Sequence, residues 1–289
     1  MNSAVNPRPG IENDPVTGTT ADGGYFAADY QTDEELARLR VLESLCDPWT
    51  IRFLDTVGVA PGWSCLEVGA GAGSVARWLA DRVGPSGHVV AADLNPRFLD
   101  GLPASGIEVR RLDITADEIE PGRYDLVHSR ALIMHLADPL AALRRMVFAL
   151  RPGGWLAVEE PDYSTTTAVD RTHPLAAGYQ DYLNSRTQFL AAAKVMDMDY
   201  GSMLPVHVDG LGLSEVVNEG RLTIERGGSP QARFLMQSFL QVDDLMVAAG
   251  VLTESVVSAA RAALQDPTFA YRSAVMHKVW GRKPLSARA

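Results

Sequence analysis

Cys65–Ala80 reads CLEVGAGAGSVARWLA. An apolar run ends at Val68, glycines follow at Gly69, Gly71 and Gly73, and a helical pattern opens near Ser74. A strand turning this sharply into a helix brings its backbone close to whatever occupies the crevice above it. Glycine permits both that approach and the dihedrals it needs. Open parallel sheets bind ligands at the carboxyl ends of their strands, and this turn lies at such an end. The dinucleotide pattern G-x-G-x-x-G requires a glycine at position 74, where the chain has Ser74. The pattern is instead E-x-G-x-G-x-G, with Glu67 ahead of the turn. A carboxylate there repels a pyrophosphate and suits a ligand with a cationic end.

Two further acids extend the site. Asp93 closes the next apolar run, GHVVAAD. A carboxylate in that position accepts both hydroxyls of a ribose. Asp113 closes RRLDI, where its oxygen can meet an adenine amino group and Ile114 can pack on the ring. The three acids together fit an adenosine joined to a cationic amino-acid end.

From Trp63 onward, short apolar runs (SCLEV, GHVVAAD, IEVRR, YDLVHS, GWLAVEE) alternate with helical patterns such as Val75–Val83 and Pro139–Leu150. That alternation predicts a parallel sheet with helices on both faces. The unbroken VVAA fits a strand covered on both sides. Ahead of this core, residues 1–24 lack apolar periodicity and read as a flexible tail. Residues 25–60 read as an N-terminal helical lid. In it Thr32 and Glu35 form a capping-box pattern, Leu36, Leu39, Leu42 and Leu45 share a face, and Asp47-Pro48 reads as the start of a second helix. Residues 61–162 form the first half of the α/β core, 163–204 a helical insertion, and 205–289 the rest of the core with a second insertion at 229–270. Within that last part, 205–217 reads as a helix, RLTIER (221–226) as a strand and SAVMHKVWGRK as the final strand.

The 289 residues are 46% apolar, ample for a packed core, and carry a formal net charge of −10. With no long basic run, nucleic acid and anionic membrane surfaces are excluded as expected partners. Cys46 and Cys65 make neither a disulfide framework nor a zinc cluster, and Cys65 reads as a buried reduced thiol. No apolar stretch is long enough to span a bilayer and no apolar signal core is visible, so a cytosolic protein is expected. No histidine pair has metal-site spacing, and no metal is expected.

The segment from Trp63 to Asp162 resembles the class I S-adenosylmethionine-dependent methyltransferases, nearest to the bacterial small-molecule branch that includes the ubiquinone and menaquinone enzymes. LEVGAGAGS is similar to that family's first motif, VVAADLNP to its second, LDITAD to its third, YDLVHSRALIMHLAD to its fourth, and LRPGGWLAVEEPD to the strand motif after it. The resemblance implies a Rossmann-like, seven-stranded, mostly parallel sheet with its last strand antiparallel, and a helical substrate lid. RLTIER and AVMHKVWGRK then fit strands six and seven. It implies that Glu67, Gly69, Gly71 and Gly73 border the methionine moiety of S-adenosylmethionine. By the same resemblance Asp93 holds the ribose with Leu94 against the adenine, and Asp113 and Ile114 hold the adenine. Ser129 and Arg130 lie beside the amino-acid end or the methyl.

The implied reaction is transfer of a methyl group to an O, N or C nucleophile of a small, partly apolar metabolite in specialised biosynthesis. A non-methylating use of the cofactor, such as cyclisation, and a non-catalytic binding protein remain as alternatives. Candidate proton acceptors are His135, His173, His207 and Tyr30, while His128 reads as a packed core residue. Tyr25, Phe26, Tyr30, Glu160 and Asp162 are expected to line the substrate site. A homodimer is the assembly allowed for.

Overall fold

The computed structural model describes residues 33–102, 107–193 and 195–285. The tail at 1–24, the aromatics Tyr25, Phe26 and Tyr30, and the Thr32 end of the capping box lie outside the described residues.

The chain opens with helix α1 (Asp33–Val57), followed by β1 (Ser64–Val68), α2 (Ser74–Val83), β2 (His88–Asp93), β3 (Ile107–Arg111), β4 (Tyr124–Arg130), α3 (Pro139–Ala149) and β5 (Leu150–Asp162). A short strand β6 (Thr167–Ala168) then leads into α4 (Ala176–Ala192) and α5 (Tyr200–Asp209). The last third holds β7 (Ser214–Arg221), β8 (Ile224–Arg226), α6 (Pro230–Ala248), α7 (Glu254–Gln265), β9 (Ala270–Arg272) and β10 (Val275–Arg282). Seven strands form one sheet in the order β3-β2-β1-β4-β5-β10-β7. Only β10 runs antiparallel to its neighbours β5 and β7, so the sheet is mostly parallel with its last strand reversed, as expected.

Alternate side chains divide the sheet into two faces. Cys65, Val89, Ala91, Leu126, Ala157 and Trp280 pack with Phe53 and Leu54 of α1 and Val75, Ala76 and Leu79 of α2. Leu66, Val68, Val90, Val127, Leu156, Val158 and Val279 point the other way, into the larger core that includes α3, α4, α5, α6 and α7.

Three expectations are corrected. First, Asp47-Pro48 does not start a second helix, because α1 runs unbroken through Pro48. An interior proline removes one helical hydrogen bond at a cost of about 3 kcal/mol. Tertiary contacts on both sides of it offset that cost. Val41, Leu42 and Leu45 pack against one core and Phe53, Leu54 and Val57 against the other. Arg130 Nη1 also bonds Asp47 Oδ1 and Thr50 Oγ1, each at 2.9 Å. Second, the helix expected at 205–217 ends at Asp209, and Ser214–Arg221 is a strand. This is the sheet's edge strand and is mostly exposed, so its sequence SEVVNEGR carries little period-two signal. Third, RLTIER is not strand six. Only Arg221 belongs to the main sheet, and Ile224–Arg226 joins a separate small sheet ordered β6-β9-β8.

Candidate functional site

The turn after β1 holds Gly69, Gly71 and Gly73 at φ of +73°, +57° and +85°. All three are left-handed conformations that side-chain-bearing residues rarely adopt. The loop's amides are already engaged. Gly69 and Ala70 donate to the Ala92 carbonyl at 2.8 and 3.0 Å, and Gly73 donates to the Ala70 carbonyl at 2.8 Å. Gly71 N donates to Asp93 Oδ2 at 3.0 Å. At the start of α2, Ser74 N donates to Glu43 Oε1 and Ser74 Oγ to Asp47 Oδ1, each at 3.0 Å. The positive end of this helix, elsewhere a phosphate site, is met here by carboxylates of α1. A pyrophosphate would meet Glu43 and Asp93 here, Asp47 being paired with Arg130, and a cationic group is the ligand these two acids favour.

Asp93 ends β2 with its second oxygen, Oδ1, accepting from Asn95 N at 2.9 Å. Burial raises its pKa despite the backbone donors. Each oxygen keeps a lone pair beyond the bond described. Leu94 is exposed beside it. Asp113 accepts from Thr115 N and Oγ1 through Oδ1 at 2.8 and 2.6 Å, and the Thr115 hydroxyl bond lowers its pKa. Ile114 is buried in the core cluster with Leu112 and Ile119. Ser129 is buried at the end of β4, and its hydroxyl has no hydrogen-bond partner among the described residues.

Glu67 and His128 depart most from the sequence reading. Parallel register sets Glu67 of β1 beside His128 of β4. His128 Nδ1 lies 2.7 Å from Glu67 Oε2, and Nε2 lies 3.2 Å from Glu159 Oε1. Lys278 Nζ of β10 closes the row 2.9 Å from Glu159 Oε2. All four side chains are buried. Burial disfavours a charged imidazole, but the flanking Glu67 and Glu159 outweigh it and hold the His128 pKa up to about 9. The ring is therefore an imidazolium at neutral pH, donating to both carboxylates. Burial likewise works against the Glu159 carboxylate, yet the His128 bond and the nearby Lys278 bring it down to about 2. His128 is thus a core residue in position and an ion-pair member in chemistry. Glu67 sits buried near the end of β1, one of its oxygens engaged by His128.

Beyond Glu159 and Lys278 opens a cavity of about 80 Å³. Its walls include Leu42, Leu45, Cys46 and Trp49 of α1, Pro161 and Tyr163 after Glu159, Arg221, Phe234 of α6, and Met276. The α1 helix is therefore shared. Glu43 and Asp47 reach the glycine turn while their neighbours line the cavity. Arg130 joins the two regions through its bond to Asp47.

The other expected site residues fall elsewhere. Glu160 and Asp162 alternate with the lining residues Glu159, Pro161 and Tyr163 and point to the opposite side, so neither lines this cavity. Glu160 accepts from the backbone of Leu132, Ile133 and Met134 at 2.9, 2.7 and 3.4 Å, and burial pushes its pKa up to about 7. Asp162 caps the next turn by accepting from Ser164 N and Oγ. Burial and then Arg38 hold the His135 pKa down to about 3, leaving a neutral ring that is a weak base. His173 sits against Phe269 and Thr268, away from the cavity walls. His207 pairs with Tyr200 on α5, which packs on the opposite face of the sheet. The sequence reading missed Trp49, Tyr163, Arg221, Phe234 and Lys278, all of which line the cavity. A recoverable signal existed for Lys278, a charged residue between the apolar Met276 and Val279–Trp280 of the final strand. Among the described residues no group of three or more His, Cys, Asp and Glu side chains could hold a metal, and no helix is long and apolar enough to cross a membrane.

Residues 34–197 match the methyltransferase domain family. The chain belongs to this family, the class I S-adenosylmethionine-dependent methyltransferases. It is 29% identical over 156 residues to methyltransferase str3 of Strobilurus tenacellus, covering 53% of this chain and 56% of that one. It is 31% identical over 133 residues to the ubiquinone/menaquinone C-methyltransferase UbiE of Hahella chejuensis, covering 43% and 53%. Matches of this kind span between 33% and 63% of the curated relatives' own lengths. Phosphoethanolamine N-methyltransferase 2 of Haemonchus contortus shares the fold with a TM-score of 0.58 at 16% identity, over 92% of this chain and 61% of that one. S-adenosylmethionine is the cofactor of the family, and its sulfonium and amino group meet the requirement for positive charge set by the acids around the turn.

Proposed function

We propose that this chain moves the sulfonium methyl of S-adenosylmethionine to an O, N or C nucleophile of a small, partly apolar metabolite, in specialised or quinone-type biosynthesis. The observation that carries this is the shared helix α1. It ties an acid-rimmed glycine turn to an adjoining cavity lined by both apolar and polar side chains. The str3 and UbiE relatives support the metabolite class.

When bound, the cofactor supplies a methyl already activated by positive sulfur. Asp93 accepts the ribose hydroxyls, and Asp113 and Leu94 hold the adenine. The glycine turn lets the backbone approach the amino-acid end, while Ser129 and Arg130 fix the rim beside it. The α1 wall and the aromatic side chains Trp49, Tyr163 and Phe234 exclude water from the acceptor and fix its angle of approach. Such alignment contributes about 7–11 kcal/mol to lowering a barrier of this type. The described cavity lining includes no histidine, which supports a reading in which positioning of the acceptor is the main contribution.

The test is incubation of the full chain with methyl-labelled S-adenosylmethionine and a panel of phenols, amines and small acids. Label transfer is the expected result. Failure of S-adenosylhomocysteine to bind by calorimetry refutes the reading.

A further inference from the structure

The charges around the cavity balance, with one exception. Glu67, Glu159 and Asp47 are negative. His128, Lys278 and Arg130 are positive and bonded to them. Arg221 stands outside this set. Among the described residues no carboxylate lies within ion-pair distance of its guanidinium, which lies 3.7 Å from the centre of the Trp49 ring. The Trp49 ring covers one face of the cation and leaves its N–H edge to other partners. Arg221 is half-buried, and that burial lowers its pKa, with Cys46 and Glu225 acting the other way. The hydroxyl groups near it are occupied with one another, since Thr223 Oγ1 donates to Ser273 Oγ at 3.1 Å and Ser273 Oγ donates to the Ala274 carbonyl at 3.1 Å. The remaining walls are mostly apolar, with Leu42, Leu45, Tyr163, Phe234 and Met276 among them, and Gln231 adds one uncharged amide.

We propose that the methyl acceptor carries a carboxylate beside an apolar body, and that Arg221 is the residue that selects it. This rests on the methyl-transfer reading above. A planar guanidinium fork matches a carboxylate in two parallel hydrogen bonds. One unbalanced positive charge matches one negative charge. A phosphate monoester, at nearly two charges, would leave the second unmet. Lys278 does not supply it, because Glu159 already holds the ammonium. The acceptor's apolar body lies along Trp49, Phe234 and Met276, with its anionic end at Arg221.

The experiment is calorimetric titration of the full chain with benzoate, benzamide and phenyl phosphate, each with and without saturating S-adenosylhomocysteine. Benzoate is expected to bind at least tenfold more tightly than benzamide and more tightly than phenyl phosphate. Arg221→Gln abolishes the preference for benzoate over benzamide, and Arg221→Lys retains part of it. Both variants keep the wild-type unfolding temperature within a few degrees and bind S-adenosylhomocysteine as wild type does. Equal binding of benzoate and benzamide, a preference that survives Arg221→Gln, or tighter binding of phenyl phosphate overturns the proposal. Loss of S-adenosylhomocysteine binding in wild type overturns the methyl-transfer reading instead, while the benzoate comparison without it still decides the role of Arg221.

Discussion

Replacing His128 with leucine tests the buried ionic row directly. In the wild type the imidazolium donates to Glu67 and Glu159 at 2.7 and 3.2 Å. His128→Leu leaves Glu159 with Lys278 but removes the cation from Glu67, which stays buried. Breaking a buried pair from one side costs about 3–5 kcal/mol. At about 2 °C per kcal/mol for a chain of this size, the unfolding temperature should fall by about 6–10 °C at pH 7. The pH dependence supplies a second check. The His128 pKa is raised from 6.5 to about 9 in the folded chain. Between those values the folded state holds a proton that the unfolded state has lost, so stability falls as pH rises. The slope is about 1.4 kcal/mol per pH unit, or about 3 kcal/mol across the window. The contribution is complete below pH 6.5 and is lost through pH 9. The stability gap between wild type and His128→Leu should therefore narrow from pH 6.5 to pH 10 in urea titrations. Adding Glu67→Gln to His128→Leu should recover part of the loss, because the stranded charge is gone. A single variant within about 1 kcal/mol of wild type, or a gap independent of pH, would refute the imidazolium assignment.

Asp93→Ala should weaken S-adenosylhomocysteine binding at least tenfold by calorimetry; unchanged affinity would contradict the ribose assignment. Gly69→Ala places a Cβ 3.2 Å from Leu132 at φ +73°, and should cost about 1–3 kcal/mol by chemical denaturation. Tyr182→Phe removes the 2.6 Å bond to buried Asp243, leaving Arg261 at 2.7 Å as its partner among the described residues. It should cost about 1–2 kcal/mol, measured the same way, with methyl transfer unaffected.

The parallel half of the core was legible because its signals are local. A buried strand, a glycine turn and an amphipathic helix each show within about ten residues, and their repetition defines the sheet. The edge strand Ser214–Arg221 was not, because exposure on both faces leaves its sequence without an apolar alternation. Pro48 misled for a different reason. Its local preference is overridden by packing of α1 against two cores and by Arg130, more than eighty residues away. The acids of the glycine rim were visible as a motif, but the partners of Glu67 were not. His128 reaches it, and Glu159 reaches His128, only through the register of separate strands. The cavity was hidden for the same reason, since its wall joins α1 to Arg221, Phe234 and Met276.

The position of β10 has a consequence for synthesis on the ribosome. It is the last strand among the described residues, yet it inserts between β5 and β7 rather than adding to an edge. Until it emerges, β5 presents an open flank and Glu159 lacks its ammonium partner. The nascent protein must keep that slot free of wrong strands, and the sheet closes only when the final segment slides in like a keystone.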